Sequence, residues 1–124
     1  MKILNLTQHI ATPEQIQAGV FESKNKDIVK KLLTFENLPD STEIWNRAYH
    51  LANLAKEEFI GYSRGGHAMI GGAGFLMGQL EKQLIIRGVT PIHSFSQRVS
   101  VETQNEDGTV TKSNVFKHVG FVFV

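Results

Sequence analysis

Three short stretches of this chain hold residue types that can do chemistry. "LTQH" sets a hydroxyl, an amide and an imidazole in a row at Thr7, Gln8 and His9, a set suited to reading a base or a ribose. "IGGAG" places Gly71, Gly72 and Gly74 where an apolar run breaks and resumes, so that backbone N–H groups can approach an anion. "HSFSQR" gathers Ser94, Ser96, Gln97 and Arg98 within five residues. In a strand, Ser94, Ser96 and Arg98 share one face, and the planar fork of Arg98 suits a phosphate. Each stretch also has a plain structural use. Thr7 to His9 can simply connect to the next helix, the glycines can turn a corner and let helix pack on sheet, and Arg98 can pair with Glu102 on a hairpin surface.

Other chemistries find no support in the spacing. The five histidines form no metal-ligand pattern, so no metal is expected. No Ser-His-Asp order or paired carboxylates can be assembled, and neither the dinucleotide fingerprint nor the Walker pattern is present, so no cofactor is expected. His118 reads as a half-buried structural histidine, and His67 receives no role. Without cysteine, disulfides, thiolate zinc sites and cysteine nucleophiles are all excluded. Thirteen basic residues against twelve acidic ones do not make the field of a protein that coats a long nucleic acid. The apolar runs are too short to cross a bilayer, and the start "MKILNLTQH" lacks the apolar core of a signal peptide. A cytoplasmic protein with no membrane partner is expected.

The elements that must position these residues follow from periodicity. One domain over residues 1–124 is the expectation from length. "KILNL" reads as a first strand, and Thr12, Pro13 and Gln15 form a capping box that opens a helix ending near Gly19. "DIVKKLLTF" is a short helix with Ile28, Val29, Leu32 and Leu33 at helical spacing. A longer helix begins at Asp40 or Ser41 and presents Ile44, Ala48, Leu51, Ala52, Ala55 and Phe59 on one face, beside Trp45 and Tyr49. "HAMIGG" is a buried strand, followed by a helix that presents Phe75, Leu76, Leu80 and Leu84 and stops at Gly88. Two β-rich runs joined through Asp107-Gly108 end the chain as a hairpin. The sum is a three-layer Rossmann-like α/β domain, mainly parallel, with a C-terminal antiparallel hairpin. Its ligand end is the carboxyl edge of the sheet.

The start "ILNLTQHIATPEQIQAG" and the end "PIHSFSQRVSVETQNEDGTVTKSNVFKHVGF" resemble small stand-alone CRISPR-accessory proteins related to the CARF (CRISPR-associated Rossmann fold) domains and their ring nucleases. His9, Thr12 and Gln15 match the first pattern, Ser96 and Arg98 the second, and Phe116, His118, Val119 and Phe121 the third. Gly120 and Val122 stand where that pattern has a basic residue, so the last strand is not expected to hold a phosphate. The resemblance implies a CARF-like homodimer that binds a cyclic oligoadenylate and cleaves it without a metal. A ribose 2′-hydroxyl would attack the neighbouring phosphorus and leave a 2′,3′-cyclic phosphate. It further implies base or ribose contacts from Thr7, Gln8 and His9, and backbone contacts from Gly71, Gly72 and Gly74. Ser94 and Gln97 would line the ligand, and Ser96, Arg98 and His9 would carry the chemistry. Two alternatives stand beside it: a sensor or sponge that holds the ligand intact, and an unrelated small-molecule enzyme on the same fold.

Overall fold

A capping box opens the first helix, α1 (Pro13–Gln17): the Thr12 hydroxyl accepts the Gln15 N–H at 3.2 Å and the Gln15 side chain accepts the Thr12 N–H at 3.0 Å. In the computed structural model, which describes residues 1–63 and 65–124, α1 is followed by α2 (Lys26–Leu33), α3 (Ser41–Glu58) and α4 (Gly74–Ile86). Asp40 caps α3 by accepting the Glu43 N–H. The apolar stripes fall where helical spacing puts them, burying Val29 and Leu33 of α2, Ala48, Leu51, Ala52 and Ala55 of α3, and Leu76, Leu80 and Leu84 of α4.

Phe75 departs from that expectation. It is 52% exposed and packs T-shaped with Phe35 at 4.9 Å between ring centroids, because one residue before Leu76 lies roughly 100° around the helix from the core stripe. Trp45 and Tyr49 stack on each other at 5.0 Å, half-exposed, with the Arg87 guanidinium over Tyr49.

Five strands form one sheet in the order β2-β1-β3-β4-β5, with β1 (Ile3–Leu6), β2 (Val20–Glu22), β3 (Gly66–Ile70), β4 (Val89–Gln104) and β5 (Val110–Phe123). β1 runs parallel to β2 and β3, β3 parallel to β4, and β5 antiparallel to β4. The α/β class, the mostly parallel sheet and the C-terminal antiparallel pair agree with the sequence. The three-residue β2 is an addition to it.

Alternation sorts the core onto two faces. Leu4, Leu6, Ala68 and Ile70 meet α2, α3 and α4 in the larger cluster. Ile3, Val20, Met69 and Ile92 form a smaller one with Ala11, which precedes α1. Each fully buried Leu or Ile contributes about 1.5–3 kcal/mol, so the helix-covered face carries most of the stability. α1 itself buries no side chain.

The hairpin outgrows the sheet. β4 pairs with β3 only through Ile92, and from His93 onward its ladder partner is β5 alone. Between Phe95 and Ser96 the register slips and leaves Val119 unmatched, a bulge that increases local twist. Beyond the bulge the two strands form an arm capped by the Asn105–Thr109 turn, where Asp107 accepts the Thr109 N–H and hydroxyl.

Candidate functional site

The chain leaves β1 and runs into a loop, residues 7–11, whose shape is set by the side chain of Asn5. Asn5 is wholly buried. Its carbonyl oxygen accepts the Thr7 N–H at 3.0 Å and the Thr7 hydroxyl at 2.7 Å, while its amide donates to the His9 carbonyl at 2.8 Å and to Glu22 at 3.0 Å. Glu22, on β2, accepts the Ala11 N–H at 2.8 Å and pairs with Lys26 at 3.0 Å. Lys26 in turn donates to the Thr7 and His9 carbonyls. Burial pushes the Glu22 carboxyl up, but the Ala11 N–H, Lys26 and Asn5 together outweigh it and hold the pKa below the ordinary value. The loop is therefore fixed by groups from β1, β2 and α2, which take up the Thr7 and Ala11 N–H groups and the Thr7 and His9 carbonyls.

Across from this loop, β3 ends at Ile70 and is followed by Gly71 and Gly72. Gly72 has φ +147°, a backbone conformation that favours glycine. α4 begins at once, and its N-cap Ala73 offers no side-chain cap; the Leu76 N–H donates to the Ala73 carbonyl at 3.0 Å, which leaves the Gly74 and Phe75 N–H groups as the first-turn donors for an anion. Gly74 is the first residue of α4.

Between the two loops lies a crevice of about 500 Å³, within the range of small-molecule sites. Thr7, Gln8, His9, Gly71, Gly72 and Ser94, six of the residues singled out by the sequence, line it. Gln8 donates its amide to the Leu33 carbonyl and the Thr34 hydroxyl, tying the loop to the end of α2. Ser94 accepts from the Gln15 amide at 3.1 Å and shares a 3.0 Å hydrogen bond with Nδ1 of His118, which is half-buried and tilted against Phe121.

Ser96, Gln97 and Arg98 are placed elsewhere. Ser96 borders a neighbouring groove beside α1. Arg98 stands on the arm with its guanidinium 5.4 Å from the Phe116 ring centroid. His67 lies at the amino end of β3 against Phe123.

One titratable crevice residue went unassigned in the sequence. His93 lines the crevice, and its Nε2 lies 2.9 Å from Glu81 Oε1 of α4. When that nitrogen donates to the carboxylate, Nδ1 keeps its lone pair and can take a proton. The two residues are twelve apart on different elements, and no local spacing announces them.

A second cavity of about 440 Å³ sits where α2 meets α3. Its Arg47 is engaged by the Leu32 and Thr34 carbonyls and by Glu43, which is the work of a helix cap. Among the described residues no three His, Asp or Glu converge as metal ligands, and no helix is long and apolar enough to cross a membrane.

The model of the Uncharacterized protein MJ1673 family matches residues 1–122. The chain belongs to that family. No curated protein and no solved structure matches the chain. The match takes in both sides of the crevice and the whole arm of this MJ1673-family chain.

Proposed function

We propose that the crevice between the β1 and β3 loops binds a cyclic oligoadenylate and cleaves it without a metal, in the cytoplasm, as part of antiviral signalling. The observation that carries this reading is the strand order. From β1 the chain crosses to β2 on one side and then returns past β1 to β3 on the other. The loops after β1 and β3 therefore diverge, and ligands of open α/β sheets settle at such a switch point, outside the carboxyl ends of the strands. The fold is then read as three-layer and CARF-like, with α1 as the thin outer layer.

In this reading His9 and the free edge of Gln8 meet a base or ribose, and the N–H groups at Gly72 and the start of α4 meet a phosphate. His93 accepts the 2′-hydroxyl proton as that oxygen bonds to phosphorus, and the bond from phosphorus to the leaving 5′-oxygen breaks as that oxygen takes a proton from water. The products are a 2′,3′-cyclic phosphate and a 5′-hydroxyl. Positioning of this kind, with a base in reach, is the bulk of such catalysis. A ring of several nucleotides overhangs a single crevice, which suits a two-fold pair of chains.

A second reading, a binding module that leaves the ligand intact, is favoured by the position of Ser96 and Arg98 outside the crevice. Incubation with cyclic tri-, tetra- and hexaadenylate in EDTA separates the two. Linear product with a cyclic-phosphate end is expected, and His93→Gln should slow its formation by about 100-fold or more while leaving binding within a fewfold. Tight binding of intact ligand would select the sponge. Binding of none of the three rings sinks both readings.

A further inference from the structure

We propose that His118 is a positioning residue for the crevice: it decides whether Ser94 offers a ligand a hydrogen-bond donor or an acceptor, and a bound anion selects the donor form. Ser94 lines the crevice, whereas the half-buried His118 lines the neighbouring groove, and Gln15 borders both. His118 therefore acts through the hydroxyl of Ser94.

A serine hydroxyl has three hydrogen-bonding positions, one proton and two lone pairs. Gln15 fills one lone pair of Ser94. The cap of α1 fixes which way its amide points: the Thr12 N–H can only donate, so the atom 3.0 Å from it is the Gln15 oxygen, and the atom 3.1 Å from Ser94 Oγ is the nitrogen. That nitrogen can only donate, so Ser94 accepts there. One proton and one lone pair remain for two neighbours, His118 Nδ1 at 3.0 Å and the occupant of the crevice.

The two neighbours take complementary halves. A bare Nδ1 accepts the Ser94 proton and leaves a lone pair for the crevice, which suits a ligand hydroxyl or amine. An Nδ1 that carries hydrogen fills the lone pair, and the hydroxyl proton turns to the crevice. An anion accepts from a proton and is repelled by a lone pair, so a phosphate beside Ser94 holds hydrogen on Nδ1. The charged groups lining the groove beside the ring are Glu14 of α1 and Lys117 of β5, and Arg98 stands two residues along β4 from Ser96, the ladder partner of His118. The neutral tautomer, which adds no charge beside these groups, serves as well as the imidazolium. Selection by an anion rests on the reading of the crevice as a phosphate site; the complementarity of Ser94 and His118 does not.

NMR of the uniformly 15N-labelled full chain reads the hydrogen on Nδ1 directly, with the His118 ring signal identified by its absence from His118→Gln. The probes are sulfate and the 2′-deoxy forms of cyclic tri-, tetra- and hexaadenylate, which the 2′-hydroxyl route cannot cut. Their seating is read at the Gly72 and Gly74 amides. A probe that seats there should move Nδ1 from the bare toward the hydrogen-bearing position. In Ser94→Ala the same probe should bind about tenfold more weakly and leave Nδ1 where it was. A seated probe that does not move the wild-type Nδ1 overturns the proposal. An equal movement in Ser94→Ala does so too, because the ring then senses the ligand without the hydroxyl. If sulfate seats and moves Nδ1 while no ring binds, the proposal stands and the cyclic oligoadenylate reading falls. If a ring binds with Nδ1 unmoved, the reverse holds, and if no probe seats, both fall.

Discussion

Asn5 and Phe116 belong to regions of opposite construction. Asn5 has no exposed surface and bonds to Thr7, His9 and Glu22; Phe116 leaves 70% of its surface to water and has the Arg98 guanidinium over its ring. Around Asn5, polar groups that would be costly to bury alone are satisfied within one chain. Along the arm, apolar groups that gain by burial are left uncovered. Their ladder holds the hairpin together without giving those side chains a core. The crevice loop is thus fixed by its own sequence, and the arm leaves its apolar side chains to water.

The contrast can be broken most sharply at Asn5. Asn5→Leu leaves the Thr7 N–H and the His9 carbonyl without their buried partner, and should cost about 3 kcal/mol in urea unfolding. A loss under about 1 kcal/mol would mean that the network is decoration.

Glu22 gives a smaller effect with a definite sign. Its folded pKa lies below the ordinary 4.5, so its contribution is fully present above the unfolded value and is lost as pH falls through the folded one. The stability of wild type should therefore decline on acidification below about pH 4.5. In Glu22→Gln that decline should be shallower, starting from a lower plateau. Parallel acid limbs in the two proteins would remove Glu22 from the account.

The smallest effect belongs to the arm. At dilutions where the chain is single, Phe116→Ser should change unfolding stability by no more than about 0.5 kcal/mol. A cost comparable to that of Asn5→Leu would show that Phe116 is covered within its own chain.

Signals confined to one element were legible in the sequence. The Thr12–Gln15 capping box, the Asp40 cap, the apolar stripes of α3 and α4 and the Asp107-Gly108 turn all depend on residues within a few positions of each other. β2 was not, because three residues have no period of their own and become a strand only by pairing with β1. The crevice was half legible. Polar and glycine residues at strand ends pointed to Thr7, Gln8, His9, Gly71, Gly72 and Ser94. The links from Asn5 to Glu22 and from Glu81 to His93 span 17 and 12 residues, and exist only once the sheet has formed. Arg98 was drawn toward the ligand by its type and its strand, but β4 carries it past the end of β3 and onto the arm.

Gln15 uses both ends of its amide: the oxygen closes the cap of α1 on Thr12, and the nitrogen grips Ser94, which bonds onward to His118 at the root of the arm. The short helix is consequently a strut between the crevice and the arm. Any displacement of α1 by an occupant of the crevice must either open its own cap or drag the root of the arm with it. The root of the arm is thus tied to the wall of the crevice through a single side chain.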